Sequence, residues 1–324
     1  MSRIAFTSSI PVEIILAAGK TPLDLNNIFI NSERPQDFVT VAEEAGYPRT
    51  TCGWIKGLYA CALNEEIEAL IAVMQGDCSN TQALMETLQL KDIKIIPFAY
   101  PFDRDPHSLE IQINKLCTFF RVTEKQVQQK KAELDEVRLL CQELDRLTWQ
   151  ENVITGQENH FYLVSSSDFG GNVNEYKSQL SQLLTAATKR APLPEPVRLA
   201  YIGVPPIFTD LYQVLSSLGA RIVYNEVQRQ FSMPTSTDSI VDQYLSYTYP
   251  YGAFARLEDI LTEVNRRQVD GIIHYTQTFC FRQIEDLIYR EQLRLPFLTL
   301  EGDNPGRVDA RTRMRLEAFI NMLK

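Results

Sequence analysis

Two parts of this chain repeat one order of elements, and the repeat sharply narrows the possible folds. SRIAFTSSIPVEIILAAGK at residues 2–20 and VRLAYIGVPPIFTDLYQVLSSLGA at residues 197–220 each contain an apolar strand, a turn, a proline, a helix and a glycine. Further along each part, a buried strand is followed by a cysteine, Cys78 or Cys280, and then by a helix and another strand. Strands that alternate with helices form parallel sheets covered by helices.

The repeat predicts an α/β protein with two similar Rossmann-like or flavodoxin-like parallel-sheet domains, joined by a helical middle segment. Mostly helical sequence runs from residue 107 to about 190 and includes a long amphipathic helix at 124–149. A stiff proline-rich linker, APLPEP, follows this helical sequence. We therefore predict an N-terminal α/β domain at 1–106, the helical segment at 107–191 and a C-terminal α/β domain at 192–324.

Apolar runs and helical periodicity predict the individual elements. Predicted strands lie at residues 3–7, 69–74, 93–99, 197–204, 221–225, 269–277 and 295–300, with extended chain at 21–30. Predicted helices lie at residues 11–18, 79–88, 205–218 and 311–323, with another that begins at residue 281.

Charge, apolar runs and cysteine count limit the classes of protein to which this chain can belong. The 324 residues carry a net charge of −9, which argues against general nucleic-acid binding. No signal peptide is visible, and no apolar run approaches the roughly 18 residues of a membrane span. Six cysteines are too few for a disulfide scaffold in a chain of this length. We expect a cytoplasmic protein, in which a cysteine fills the core, acts as a nucleophile or binds a metal.

Three of the cysteines are predicted to lie at helix starts. Cys78 and Cys280 each follow a buried strand, and Cys52 lies at a junction between a loop and a helix. Free N–H groups at a helix start favour the thiolate, and ligands bind at the carboxyl ends of parallel strands. Two interpretations of these thiols remain open: they form a shared metal site, or they are three separate buried thiols. The chain has no CxxC pair, which would have favoured a metal site. Core positions are predicted for the other three, Cys61, Cys117 and Cys141.

Two further groups of residues, one of tyrosines and one of arginines, each have two possible roles. The tyrosines in YLSYTYPY at residues 244–251 line a pocket or pack between domains. The arginines at 307, 311, 313 and 315 hold phosphates or form a solvated helix face. The chain has no motif of a serine hydrolase, P-loop, dinucleotide fingerprint or zinc protease.

Five segments of the chain match one family pattern in the right order. They are IPVEIILAAGKTP, TTCGWIKGLYAC, MQGDCSNTQALMETL, TQTFCFRQIEDL and LPFLTLEGDNPGRVDARTRMRLEAFINML. Together they resemble the 2-hydroxyacyl-CoA dehydratase / benzoyl-CoA reductase family, in its D-component type of subunit.

The resemblance implies that Cys52, Cys78 and Cys280 bind one [4Fe–4S] cluster per chain. Three thiolates leave one iron open to water, hydroxide or the thioester carbonyl. Because Cys61, Cys117 and Cys141 are poorly placed for the larger double-cubane cluster, we expect a single cubane. Ser8, Ser9 and Glu13, at the first turn, are candidates for a polar catalytic role near the open iron, although Glu13 would also suit a helix N-terminus.

The resemblance also implies partners. Family members take single low-potential electrons from an ATP-dependent activator protein and form a ketyl radical of an acyl-CoA thioester. They act as dimers with a homologous subunit. We expect a lyase or acyl-CoA reductase of this type. The alternatives are an accessory electron-transfer subunit without its own turnover, and a non-redox two-domain protein that binds a small ligand. A zinc site of three cysteines is a smaller possibility.

Overall fold

Two four-stranded, entirely parallel sheets organise the protein. The computed structural model describes residues 2–324. The strands are β1 (Arg3–Phe6), β2 (Thr21–Asp24), β3 (Ala69–Gln75), β4 (Ile95–Ala99), β5 (Val197–Gly203), β6 (Ala220–Asn225), β7 (Gly271–Gln277) and β8 (Phe297–Gly302). Their orders are β2-β1-β3-β4 and β6-β5-β7-β8, so the second sheet repeats the topology of the first. This confirms the predicted α/β class with two similar parallel-sheet units.

Helices connect these strands and fill the segment between the sheets. The helices of the first half are α1 (Val12–Ala17), α2 (Leu25–Asn31), α3 (Pro35–Glu44), α4 (Gly53–Asn64) and α5 (Asn80–Gln89). The middle segment contains α6 (Pro106–Phe120), α7 (Glu124–Arg146), a π turn (Leu147–Glu151), α8 (Gly156–Ser165), a 3-10 turn (Phe169–Gly171) and α9 (Val173–Ala187).

The second half has the same alternation of strands and helices. Its helices are α10 (Leu211–Ser217), α11 (Glu226–Phe231), α12 (Ile240–Ser246), α13 (Ala253–Arg266), a 3-10 turn (Phe281–Glu285), α14 (Asp286–Leu293) and α15 (Ala310–Leu323). Within residues 2–324, no helix combines the length and the apolar character needed to span a membrane.

Two predicted elements differ from the structure. Residues 21–30 were expected to be extended, but the strand ends at Asp24, whose carboxylate accepts a hydrogen bond from the N–H of Asn26 and starts α2. Residues 205–218 were expected to be one helix, but α10 begins only at Leu211. Before it, the hydroxyl of Tyr275 accepts a hydrogen bond from the N–H of Ile207, so this stretch is held by β7 instead of by helical bonds.

The hydrophobic core has three parts, because each sheet is covered on both faces. Ala5 and Leu70 of the first sheet share one cluster with Leu199 and Ile273 of the second. The opposite face of the first sheet packs against the helical middle segment and α12. The opposite face of the second sheet packs against α13 and α14. The shared cluster holds the two sheets together, and the loops at their carboxyl ends are brought to a common place.

Candidate functional site

A cavity of about 200 Å³ lies where loops from both sheets meet. Its wall includes residues 7–9 after β1, 77–80 after β3, 204–205 after β5 and 277–282 after β7. β1 and β3 are the two central strands of the first sheet, and β5 and β7 are those of the second. In each sheet the chain leads from one central strand to the edge strand on one side, and from the other central strand to the edge strand on the opposite side. This is the switch point at which open parallel sheets bind ligands.

The structure brings three thiols to this cavity. Cys52, Cys78 and Cys280 all line it, although they come from different loops and from both halves of the chain. Cys52 directly precedes α4, Cys280 directly precedes the 3-10 turn, and Cys78 lies two positions before α5. The sequence therefore placed these thiols correctly at helix starts.

The expectation that the free thiolates are favoured is wrong. The pKa of Cys52 is raised to about 11, because burial disfavours the charged form more strongly than the N–H groups of Trp54 and Ile55 favour it. Burial, and then the carboxylate of Asp77, raise the pKa of Cys78 to about 12. Burial also raises the pKa of Cys280. As free thiols all three are therefore neutral at pH 7.

The thiols also act on one another electrostatically. A charge on Cys280 raises the pKa of Cys52, and charges on Cys52 and Cys280 raise that of Cys78. These effects agree with the position of all three residues in the wall of one cavity. A cationic ligand in the cavity would lower the pKa values of the thiols, because a metal stabilises the deprotonated form of each thiol it binds.

Among residues 2–324, no group of three or more His, Cys, Asp or Glu side chains is arranged to hold a single metal ion. A lone zinc ion needs its sulfurs about 2.3 Å from one centre, so this finding counts against a preformed zinc site. In a [4Fe–4S] cluster each thiolate binds a different iron, so the thiolate sulfurs lie further apart than around one zinc ion.

Acidic side chains form a second part of the wall. Asp24 and Asp77 both line the cavity. Burial raises the pKa of Asp77 to about 6, although the N–H of Cys78 and the charge of Arg282 oppose the rise. Burial also raises the pKa of Asp24, against a hydrogen bond from Ser167. Carboxyl groups with raised pKa values can donate or accept protons near neutral pH.

A buried polar network makes hydrogen bonds to the carboxylate and the backbone N–H of Asp24. The hydroxyl of Ser167 donates to Asp24 Oδ2 over 2.6 Å, and the Asp24 N–H donates to Asp168 Oδ2 over 2.8 Å. Asn27 Nδ2 donates to both Ser167 and Asp168, each over 3.1 Å. Burial and the nearby charge of Asp24 raise the pKa of Asp168 to about 7. Sequence analysis missed this network; the polar break SSSDFGG within helical sequence was the available signal.

Several buried polar atoms at the cavity have no partner among residues 2–324. They include Asn27 Oδ1, Trp54 Nε1 and Gln277 Oε1. Buried polar groups are normally hydrogen-bonded, because leaving one unpaired costs roughly 1–3 kcal/mol. The wall therefore offers unused donors and acceptors to a polar ligand.

Arg282 brings a positive charge to the wall. Its Nη2 donates to the carbonyl of Tyr249 over 2.9 Å, and its guanidinium lies 4.7 Å from the centre of the Tyr249 ring. Arg282 also lowers the pKa of Cys280, against the effect of burial. All four tyrosines of residues 244–251 belong to one core cluster, and Tyr249 also lines the cavity.

The three candidate residues at the first turn lie in different environments. Ser8 and Ser9 are buried and line the cavity. Glu13 is fully buried but is not among the cavity residues. It accepts hydrogen bonds from Arg138 and Gln243, both over 2.7 Å, and from Tyr244 over 3.0 Å. These contacts give Glu13 a role in holding α1, α7 and α12 together.

The remaining cysteines lie away from the cavity. Cys61 and Cys141 are fully buried in two different core clusters, and Cys117 packs against one of them. The sulfur of Cys141 lies 3.3 Å from the hydroxyl of Tyr176. All six cysteines are free thiols.

Two comparisons with known proteins bear on this site. A family model described as 2-hydroxyglutaryl-CoA dehydratase, D-component, matches residues 7–323. A comparison with curated proteins found no match.

Proposed function

This chain belongs to the 2-hydroxyglutaryl-CoA dehydratase D-component family, and from that premise we propose that it is a cluster-bearing subunit of a 2-hydroxyacyl-CoA dehydratase-type enzyme. The family match confirms the resemblance seen in the five sequence segments. The observation that carries the proposal is the convergence of Cys52, Cys78 and Cys280 on one cavity between the two sheets.

We assign Cys52, Cys78 and Cys280 as the ligands of one [4Fe–4S] cluster. The donor set fits such a cluster, because three mutually repelling buried thiols need a positive charge to ionise together. The other three cysteines do not line the cavity, so none of them is placed to add a ligand for a larger cluster. When bound, the cluster would supply single low-potential electrons to an acyl-CoA thioester.

The side chains around the thiols suit a dehydration. Removing water from a 2-hydroxyacyl thioester takes the hydroxyl from one carbon and a proton from its neighbour, so the site must both donate and accept a proton. We assign this transfer to the carboxyl groups of Asp24 and Asp77, which line the same cavity as the thiols. Burial raises the pKa of both groups, that of Asp77 to about 6. Ser9 would orient the substrate from the same wall.

The proposal requires partners. A homologous subunit would complete the enzyme, in keeping with the family description as one component of a dehydratase. A separate ATP-dependent activator protein would deliver the electrons, as the family resemblance of the sequence implies.

Anaerobic iron and sulfide analysis, with EPR spectroscopy after reduction, tests the assignment. We expect about four irons and four sulfides per chain, and a large loss of both in Cys52→Ser, Cys78→Ser and Cys280→Ser. Cys117→Ser is the matched control, because Cys117 is a partly exposed thiol outside the cavity. Fewer than about three irons per chain, with Cys280→Ser unchanged, would exclude the cluster. A colourless protein with titratable cavity thiols would support a non-redox binding protein instead.

A further inference from the structure

Arg282 is, among residues 2–324, the one cationic side chain in the wall of the cavity lined by Cys52, Cys78 and Cys280. Two aspartates and the three thiols share this wall with it, and every one of these groups is neutral or negative. Arginine side chains keep their positive charge in proteins. Arg282 is therefore available as the counterion of a negatively charged group in the cavity.

The guanidinium group of Arg282 uses only part of its hydrogen-bonding capacity. The side chain is 5% exposed, and its Nη2 donates to the carbonyl of Tyr249 over 2.9 Å. Its Nη1 is buried and has no hydrogen-bond partner among residues 2–324. A buried donor without a partner is costly, and more so when it carries a charge. This nitrogen indicates that the wall is built for an acceptor that the chain itself does not supply.

A row of alternating charges ends at Arg282. Glu285 Oε2 lies 3.6 Å from Arg282 Nη1, beyond hydrogen-bond distance, but 3.1 Å from Nη1 of Arg256. Arg256 is fully buried and donates twice to the carboxylate of Glu226, each time over 2.7 Å. Glu226, Arg256 and Glu285 do not line the cavity. The positive end of the row is thus the one that lies at the cavity wall.

The charge of Arg282 acts on groups from both sheets. Burial raises the pKa of Cys280, which follows β7, and the charge of Arg282 is among the effects that oppose the rise. Burial also raises the pKa of Asp77, which follows β3, and Arg282 opposes this rise as well. The influence of Arg282 therefore extends across the cavity.

We propose that Arg282 is the counterion of the cluster and raises its reduction potential. The inference rests on the proposed function, which places a [4Fe–4S] cluster at the three cavity thiols. A cluster of this kind with three thiolates has a net negative charge, and the single electron from the activator protein makes it more negative. A buried positive charge in the same wall favours this reduced form, because little water is present to screen the attraction. Arg282 would thus ease electron uptake.

A redox titration of the anaerobically purified protein with its cluster, followed by EPR spectroscopy, tests this role. At a fixed potential we expect the ratio of reduced to oxidised cluster to fall at least about tenfold in Arg282→Gln, which is a shift of about 59 mV for a one-electron couple. Arg282→Lys keeps the charge and should restore most of the potential. Glu285→Gln removes the opposing negative charge and should shift the potential in the other direction.

Arg313→Gln is the matched control, because Arg313 is an exposed arginine of α15 that does not line the cavity. Equal potentials in Arg282→Gln and the unmodified protein would overturn the inference, and so would an equal fall in Arg282→Lys. If Arg282→Gln loses its iron, retention of iron in Arg282→Lys would still support a counterion, whereas loss in both variants would show a merely structural role and overturn it.

Iron analysis of the unmodified protein separates the two proposals. Absence of iron there would contradict the proposed function itself. A normal iron content together with a potential that does not respond to Arg282→Gln would contradict only the role of Arg282.

Discussion

At the residue scale, the carboxyl group of Asp168 in the buried polar network makes the stability of the protein depend on pH. Its pKa is raised to about 7 from an ordinary value of about 3.9. Between these values the folded protein keeps a proton that the unfolded chain loses. Stability therefore falls as pH rises through this window, and the full loss is present above pH 7. The raised pKa values of Asp24 and Asp77 act in the same direction.

Replacing this carboxyl group should flatten the pH dependence. Asp168→Asn is expected to lower the free energy of unfolding at pH 5 by about 1–3 kcal/mol, because one acceptor for the N–H of Asp24 or Gly170 is lost. The difference from the unmodified protein should shrink by pH 7.5. Urea unfolding at both pH values measures it. Asp37→Asn, at an exposed acidic residue, is the control, and equal pH slopes in the protein and Asp168→Asn would contradict the linkage.

Single residues differ in how far the sequence predicts their role. The helix-start positions of Cys52, Cys78 and Cys280 follow from local order, because each comes next to a recognisable strand or helix. The hydrogen bond between Asp24 and Asp168 joins residues separated by 144 positions. No local pattern encodes such a contact, so the network appears only when the middle segment packs against the first sheet.

At the element scale, α8 gives wall residues to two neighbouring cavities, the one that Cys52, Cys78 and Cys280 line and a second of about 90 Å³. Its start is fixed by a capping box, in which Thr155 accepts from the N–H of Glu158 over 3.1 Å and Glu158 accepts from the N–H of Thr155 over 2.9 Å. The helix carries His160 and Val164. Fraying of this end would loosen the wall that α8 gives to the second cavity.

Thr155→Ala should destabilise the protein by about 1 kcal/mol, since the side chain that caps the helix is removed. Amide hydrogen exchange should also accelerate in the first turn of α8. Thr185→Ala is a suitable control, because Thr185 is exposed in the body of α9 and caps no helix start. Unchanged exchange in α8, together with unchanged stability, would show that the capping box does not fix this helix.

Strands were predicted more accurately than the short helices. An apolar run such as ALIAVM specifies a strand buried on both faces, and β3 follows it closely. The short helix α2 was missed because its apolar residues are equally compatible with extended chain, and the cap at Asp24 decides the outcome. No helix or strand was predicted within residues 226–268, although α11, α12 and α13 lie there and cover the two sheets.

At the scale of the whole molecule, Glu13 joins three parts of the chain. Arg138 comes from the middle segment and Gln243 from the second half, and both donate to the Glu13 carboxylate. Glu13 is fully buried and the Arg138 side chain is 5% exposed, so neither charge has water as a substitute partner. The repeat in the sequence predicted two sheets, but it contained no information on this contact between the halves.

Glu13→Gln should destabilise the protein by about 3 kcal/mol, because it removes the fully buried counterion of Arg138 and leaves only its pair with the partly exposed Asp135. Urea unfolding measures the loss. Glu136→Gln is the control, since its pair with Lys177 is largely exposed, and such pairs contribute at most about 1 kcal/mol. Iron bound per folded chain should not change in Glu13→Gln. Loss of iron at unchanged stability would contradict a purely structural role for Glu13.

The thiol set also has a consequence for biosynthesis. Cys52 precedes β3 and Cys78 lies between β3 and α5, whereas Cys280 comes only after β7. A nascent chain on the ribosome therefore displays only two of the three thiols until β7 has been synthesised. A fragment that stops before β7 lacks the third thiol altogether. The three thiols meet at one cavity only when both sheets have been synthesised and have folded together.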